Sequence, residues 1–323
     1  MSLTIAFVMD PLEGINIETD TTFAFMLAAQ QRGHRIVHVL PREIQLTVEP
    51  TGTMLQLAGR EVTVKPQPDR HYEVVRSGRW AANACDAILI RTDPPFDADY
   101  LTTTWLLSFA ERDGVWVINS PRGLRAANEK LYAFEFPHLC PETLVSQSRA
   151  AIRDFVRTIG GDAIAKPIDG HGGFGVFRLR SDDSNFNALI DVLTSEGARQ
   201  IVVQKFLAGG LQGDRRLLFL DGQLRGVLTR VPQGGDHRGN VHIGGRTEPA
   251  ELTAADRELE RVMGPRLRQD GLYFAGLDVI EGKLIEVNVT SPTLVQELRQ
   301  FGQADVAAEL IAAIERHALA RES

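Results

Sequence analysis

The chain has 323 residues, 43% hydrophobic and 24% charged, with a net charge of −7; this length exceeds one ordinary core and predicts a soluble globular protein of two or three domains sharing interfaces. The acidic balance argues against a nucleic-acid partner held through phosphate contacts but leaves room for a small anion at local basic sites. No apolar run approaches the roughly 20 residues that span a bilayer, and a start that enters a strand pattern at once, without signal-peptide features, predicts a cytoplasmic protein.

Leu3 to Met9 reads as a strand, Thr21 to Arg32 as a helix stopped by Gly33, and Arg35 to Leu40 as a strand, the opening of an α/β domain. Alternation across Thr53 to Val64, with Ala58-Gly59 between its halves, predicts a hairpin. A strand at Asp86 to Arg91, a helix from Asp97 to Arg112 and a strand at Val115 to Asn119 complete residues 1–122 as a largely parallel sheet with covering helices. Cys85 and Cys140 lie in or beside apolar runs and read as small buried hydrophobes, not as a disulfide.

After Ser120-Pro121 the pattern changes. Helices near Glu129 to Phe136 and Ala150 to Ile159 alternate with strands near Ala163 to Lys166, Val176 to Leu179 and Ile201 to Lys205. Strands at Arg216 to Leu220 and Gln223 to Arg230, a helix from Ala254 to Gln269 and a strand pair within Phe274 to Val289 follow. The tight turns Asp221-Gly222 and Glu281-Gly282 make these last strands antiparallel. The expected fold class is therefore α/β, becoming α+β in the C-terminal part, with domains 1–122 and 123–323 and the second divided near residue 205.

GHGGFG, Gly170 to Gly175, matches a dinucleotide-binding pattern, but a strand (VFRLR) follows it where that pattern demands a helix. The unit reads either as a plain glycine-rich hairpin or as a backbone flap over phosphates. Lys166 ends the apolar run AIAKP just before it, and Lys130 falls in the first turn of a helix capped by Asn128, where the macrodipole disfavours a cation. Both lysines acquire a reason beside the flap if a phosphate is their partner.

In GLDVIEGKLIEVNVTSP, Gly276 to Pro292, a three-residue turn at Glu281 to Lys283 sets Asp278 opposite Glu286, with Asn288 on the same face. Opposed carboxylates repel unless a cation lies between them, and these oxygens suit Mg²⁺; the competing reading is an exposed polar face in a slipped register. Arg91, Arg216, Arg230, Arg238 and Arg246 accumulate where an anion would need guanidinium groups. The last three flank or occupy the glycine-rich stretch Val231 to Gly245, which reads as a lid ordered by bound ligand.

Taken in order, NEK (Asn128 to Lys130), AKPIDGHGGFGVFR, VQKFL, GDRR, TRVPQGGDHRGNVHIGGR and GLDVI…EVNVTSP resemble the ATP-grasp ligases. With VMDPLEGINIETDTTFA and LIRTDPPFDADY the resemblance narrows to the bacterial glutathione synthetases and runs over nearly the whole chain. It implies a Rossmann-like N-terminal domain followed by a two-part ATP-grasp fold. It implies ATP as co-substrate, near Lys130, Lys166, Gly172, Gly173, Gln204, Phe206, Leu207 and Asp214, and Mg²⁺ or Mn²⁺ on Asp278, Glu286 and Asn288. It implies γ-glutamylcysteine and glycine as substrates, contacted by Asp10, Asn16, Arg91, Arg216, Arg230 and Ser291, with Arg216, Arg238 and Arg246 catalytic, and a homotetramer as the assembly. A different ATP-grasp ligase, adding glutamate or joining other amino acids, is the alternative. Lys205 departs from the neutral polar residue expected there, and strand alternation turns it away from Gln204 and Phe206.

Overall fold

Alternating short apolar runs and helices build the first layer. The computed structural model describes residues 2–232 and 245–322. Strands β1 (Thr4–Val8), β2 (Arg35–Val39), β3 (Ile44–Glu49), β4 (Gly52–Val64), β5 (Tyr72–Ala81), β6 (Ala87–Ile90) and β7 (Trp116–Ile118) form one sheet in the order β3-β4-β2-β1-β6-β7, with β5 also paired to β4. Strands β2, β1, β6 and β7 run parallel. Every residue of β1 and β6 is buried, as expected of strands covered on both faces. Helices α1 (Thr21–Gln31) and α2 (Ala98–Arg112) are capped by the side chains of Asp20 and Asp97, and the left-handed Gly33 (φ +81°) follows the first.

Gly52–Val64 is one continuous strand, which corrects the expected hairpin around Ala58-Gly59. Glycine is needed at 59 for close approach rather than for a turn: a Cβ there would stand 2.4 Å from the His38 carbonyl oxygen on β2. Gly59→Ala is therefore expected to cost roughly 1–3 kcal/mol of stability, read as a lowered thermal transition; an unchanged transition would contradict the clash. Strand β5 is exposed along most of its length, so it carries no apolar alternation by which to recognise it.

The second layer is the antiparallel sheet β10-β9-β11-β8, made by β8 (Thr143–Ser146), β9 (Asp162–Pro167), β10 (Phe177–Arg180) and β11 (Ile201–Lys205). It has its own core, in which Ile152 and Val156, one turn apart on α4 (Arg149–Thr158), pack with Phe186 and Ile190 of α5 (Phe186–Leu193) and with Ala165 and Val203. The helix expected over Glu129 to Phe136 is instead a turn leading into a 3₁₀ helix at Tyr132–Glu135, after the short α3 (Pro121–Ala126). Asn128 Oδ1 accepts from the Lys130 and Leu131 N–H groups, and Val287 N–H donates to the Glu129 carbonyl (2.8 Å), so the chain is pinned to the neighbouring strand. Pro137 forbids continuation.

The third layer is the antiparallel sheet β14-β13-β12-β15-β16, from β12 (Asp214–Leu220), β13 (Gln223–Val231), β14 (Arg246–Pro249), β15 (Phe274–Ile280) and β16 (Lys283–Asn288). Helix α6 (Ala254–Gln269) opens on a capping box of Thr253 and Asp256. The chain ends in α7 (Val295–Gln300) and α8 (Val306–Glu322), and α8 packs back onto α1. First and third layers share apolar cores: the Phe25 and Phe274 rings meet edge to face at 5.5 Å. The buried Asn119 amide donates to the Phe274 and Val289 carbonyls (both 2.7 Å) and accepts from Phe274 N–H (2.8 Å), joining the two sheets.

Candidate active site

The layers converge on a cleft of about 420 Å³. The hairpin β15–β16 supplies one wall, the glycine loop Gly170 to Phe174 covers another, and Ser291 to Leu294 with Asp93 and Pro94 complete the lining. The hairpin turn has two residues, Glu281 and Gly282, both left-handed (φ +50° and +73°), not the three expected. Asp278 nevertheless pairs with Glu286, because a bulge between Asp278 and Val279 adds the residue that the shorter turn lacks.

Four cations crowd this acidic chain's cleft: Lys130, Lys166, Arg216 and Arg230, each no more than 5% exposed. Arg216, opposite Asp278 on β12, donates to it through Nε (2.5 Å) and Nη2 (3.1 Å), and Arg230 Nη2 lies 2.9 Å from its second oxygen. Burial opposes ionisation of Asp278, but the two guanidinium groups prevail and hold its carboxyl well below the usual carboxylate range. Arg230 also binds Asp214 (2.6 Å). Lys130 Nζ sits 3.1 Å from Glu286 Oε1 and donates to the Gly170 carbonyl, tying the flap to the hairpin. Among the described residues Lys166 Nζ donates only to the Ile285 carbonyl, at 3.3 Å. Burial pushes its pKa down to about 8, against the favourable field of Glu286.

Asp278, Glu286 and Asn288 form a set of hard oxygen donors on one face of a rigid hairpin, and Asn288 Nδ2 already reaches Asp278 Oδ2 (3.2 Å). Two opposed carboxylates beside an amide fit Mg²⁺ or Mn²⁺ as first ligands, leaving positions for water and phosphate. Among the described residues no cluster of three His, Cys, Asp or Glu groups offers a competing metal site.

A smaller cavity of about 130 Å³ adjoins the cleft, lined by Gln204, Phe206, Leu207, Asp214 and Lys166 with Ile164, Ile280 and Ile285. Its polar rim and apolar walls suit a flat heteroaromatic base. Gln204 Nε2 donates to Thr143 Oγ1 (3.1 Å), and the Arg178 guanidinium stacks on the Phe206 ring at 3.8 Å. Lys205 Nζ turns outward to Glu142 (2.8 Å), as alternation predicts. Gly172 and Gly173 are both left-handed (φ +59° and +80°) in the flap.

The remaining expected residues divide. Ser291 lines the cleft. Asp10 lies where the strand order reverses between β1 and β6 and accepts from Asp93 N–H (2.9 Å), at the position where α/β sheets place ligands. Asn16 is exposed on the loop before α1, its side chain turned to Glu18 N–H (3.1 Å). Arg91 is buried outside the cleft lining: it donates to Thr22 Oγ1 (3.0 Å) and the Pro292 carbonyl (2.9 Å) between the Phe25 and Phe274 rings. Arg246 is exposed at the start of β14, paired with Glu248. Arg238 and most of the expected lid, residues 233–244, lie outside the described residues.

Glu129 has no role among those the resemblance implies, although NEK is one of the motifs that carry it. The carboxylate lines the cleft and accepts three hydrogen bonds through Oε1. Burial, then the nearby Glu286 charge, push this carboxyl above its ordinary range. No periodicity or spacing marks it, because its partners, two backbone N–H groups and the Thr290 hydroxyl, lie 160 and 161 residues away.

Two family models cover the chain: the prokaryotic glutathione synthetase N-terminal domain over residues 3–125 and its ATP-grasp domain over residues 129–303. Among curated relatives, the glutathione synthetase of Xanthomonas axonopodis pv. citri is 42% identical, covering 98% of each chain. That of Bradyrhizobium diazoefficiens is 39% identical over 98% of this chain and 99% of its own. Solved structures with the same architecture include the ATP-grasp ligase PsnB with a minimal precursor (17% identity, TM-score 0.66, 98% of this chain and 100% of that one). D-cycloserine synthetase DcsG is another (16% identity, TM-score 0.65, 97% and 99%). At these identities the structural likeness speaks for the fold, which is ATP-grasp. The full-length family matches speak for more: the chain belongs to the prokaryotic glutathione synthetase family.

Proposed function

We propose that the protein is a glutathione synthetase, joining γ-glutamylcysteine to glycine at the expense of ATP. The observation within the cleft that supports this reading is the convergence of four buried cations on two opposed carboxylates beneath a glycine flap. The adenine would occupy the smaller cavity beside Gln204, Phe206 and Leu207, with Asp214 toward the ribose and Lys130, Lys166 and the flap amides of Gly172 and Gly173 on the phosphates. Asp278, Glu286 and Asn288 would hold Mg²⁺ or Mn²⁺, which neutralises phosphate charge when bound.

The cysteinyl carboxylate of γ-glutamylcysteine takes the γ-phosphoryl group, leaving ADP and an acyl phosphate. The amine of glycine then attacks the acyl carbon, and collapse of the tetrahedral adduct forms the amide and expels phosphate, the amine losing its proton. Arg216, rigid through its two bonds to Asp278, would stabilise charge on the reacting carboxyl. Ser291, Arg230, the switch-point residue Asp10 and Asn16 on the loop before α1 would orient the dipeptide, with Arg91 supporting Pro292 beneath it. Arg238 and Arg246 belong to this reading as lid residues that keep water from the acyl phosphate.

A cytoplasmic homotetramer goes with the reading, its working domains being 1–122 and 123–323; no described helix is long and apolar enough to cross a membrane. The deciding experiment is phosphate release from Mg-ATP with γ-glutamylcysteine, with and without glycine, products identified by mass. Release that requires both substrates and yields glutathione is expected. Turnover only with other amino-acid or peptide acceptors would assign the site to a different ligase of the same fold.

A further inference from the structure

Glu129 belongs to no step above, yet it is among the most constrained side chains at the cleft. Its Oε1 accepts from Val289 N–H (2.8 Å), Thr290 N–H (3.0 Å) and Thr290 Oγ1 (2.8 Å), while its own carbonyl accepts from Val287 N–H (2.8 Å). The grip therefore closes on residues 287, 289 and 290 and brackets Asn288, the last donor of the metal set. Immediately beyond lie Ser291 to Leu294, which line the cleft and end at Leu294, a non-glycine residue held left-handed (φ +83°). Such a conformation persists only where its surroundings enforce it. Arg91 holds the other side of this segment through the Pro292 carbonyl.

Glu129 also adjoins Lys130, which ties Glu286 to the flap. Three donors on one oxygen saturate it, and both backbone donors lie just past the end of β16, where no strand partner satisfies them. We propose that Glu129 is a positioning residue whose acceptor oxygen fixes the 289–291 backbone, so that Asn288 and the substrate-facing segment after it share one geometry. The role of that segment rests on the synthetase reading; the clamp itself does not.

The test compares full-length wild type with Glu129→Ala, Glu129→Gln, Thr290→Val and the Glu129→Ala/Thr290→Val double variant. Glu129→Ala is expected to lower kcat/KM for γ-glutamylcysteine by about 30-fold or more, since misplacement by an ångström can cost about 100-fold. The KM for ATP should move by less than about threefold, because the nucleotide-side lysines keep their places. Glutamine retains an Oε1 acceptor and should stay within roughly fivefold of wild type. Thr290→Val should act in the same direction but more weakly, and the double variant should be no worse than Glu129→Ala, because both changes break one clamp. Without substrate, the Val289 and Thr290 amides should exchange at least about tenfold faster in Glu129→Ala. A glutamine variant as impaired as alanine, additive effects in the double variant, or unchanged exchange at these two amides would overturn the proposal. Absence of glutathione formation by the wild type would overturn the synthetase reading instead, while the exchange result still judges the clamp.

Discussion

Replacing Glu286 by glutamine is expected to lower ligation turnover by about 10²–10³-fold, the loss typical of removing one preorganised electrostatic group from an active site. The side chain keeps its size and one oxygen, so the loss isolates the charge. Glu286 is the better probe of the two opposed carboxylates. Removing Asp278 would strip both Arg216 and Arg230 of their shared anion in a buried setting, and breaking such a pair costs several kcal/mol in its own right. Glu286 is partly open to solvent, with Lys130 as its ion-pair partner, so Glu286→Gln should lower the melting temperature modestly and leave a folded enzyme. Steady-state phosphate release together with Mn²⁺ titration by electron paramagnetic resonance separates the outcomes. Weakened Mn²⁺ binding with lost turnover supports the metal set. A variant with ordinary turnover and ordinary metal dependence removes Glu286 from it.

The site's strands were legible in the sequence because their signals are local. The parallel strands β1 and β6 announce themselves as apolar runs, and the β15–β16 hairpin as two largely apolar arms joined by the turn residues Glu281-Gly282. Asp278 faces Glu286 as the sequence implies, but through a different turn: a two-residue turn and a bulge give the same offset as a three-residue turn without one. What was not legible depends on contacts distant in sequence. Gly59 reads as a turn until the His38 carbonyl lies against it, and Glu129 to Phe136 reads as a helix until Asn128 and the edge of β16 claim its backbone. Glu129 itself has no sequence signature, since two of its three partners are main-chain amides, which every residue but proline possesses, and the third is a hydroxyl 161 residues away.

Lys166→Met should produce opposite effects on stability and affinity. Lys166 is buried, its one hydrogen bond among the described residues is a long one to the Ile285 carbonyl, and burial lowers its pKa from the ordinary 10.5 to about 8. Between these values the unfolded chain holds more protons than the folded one, so the contribution of this residue to stability rises as pH climbs from about 8 to 10.5. Near neutral pH the ammonium is charged and costly. Methionine fills similar space without the charge, and the melting temperature without nucleotide is expected to rise by about 2–4 °C. ATP affinity should fall by about 100-fold, because a phosphate oxygen would lose its charged donor. Thermal unfolding with and without Mg-ATP, at neutral pH and at about pH 9.5, tests both effects. The stabilisation should shrink at the higher pH, where the wild-type amine is itself largely neutral, and nucleotide should stabilise wild type far more than the variant. A variant less stable than wild type without nucleotide would mean that Glu286 and the Ile285 carbonyl already satisfy the ammonium. In that case the charge would belong to the architecture of the cleft, and an arriving phosphate would gain less from it than its burial implies.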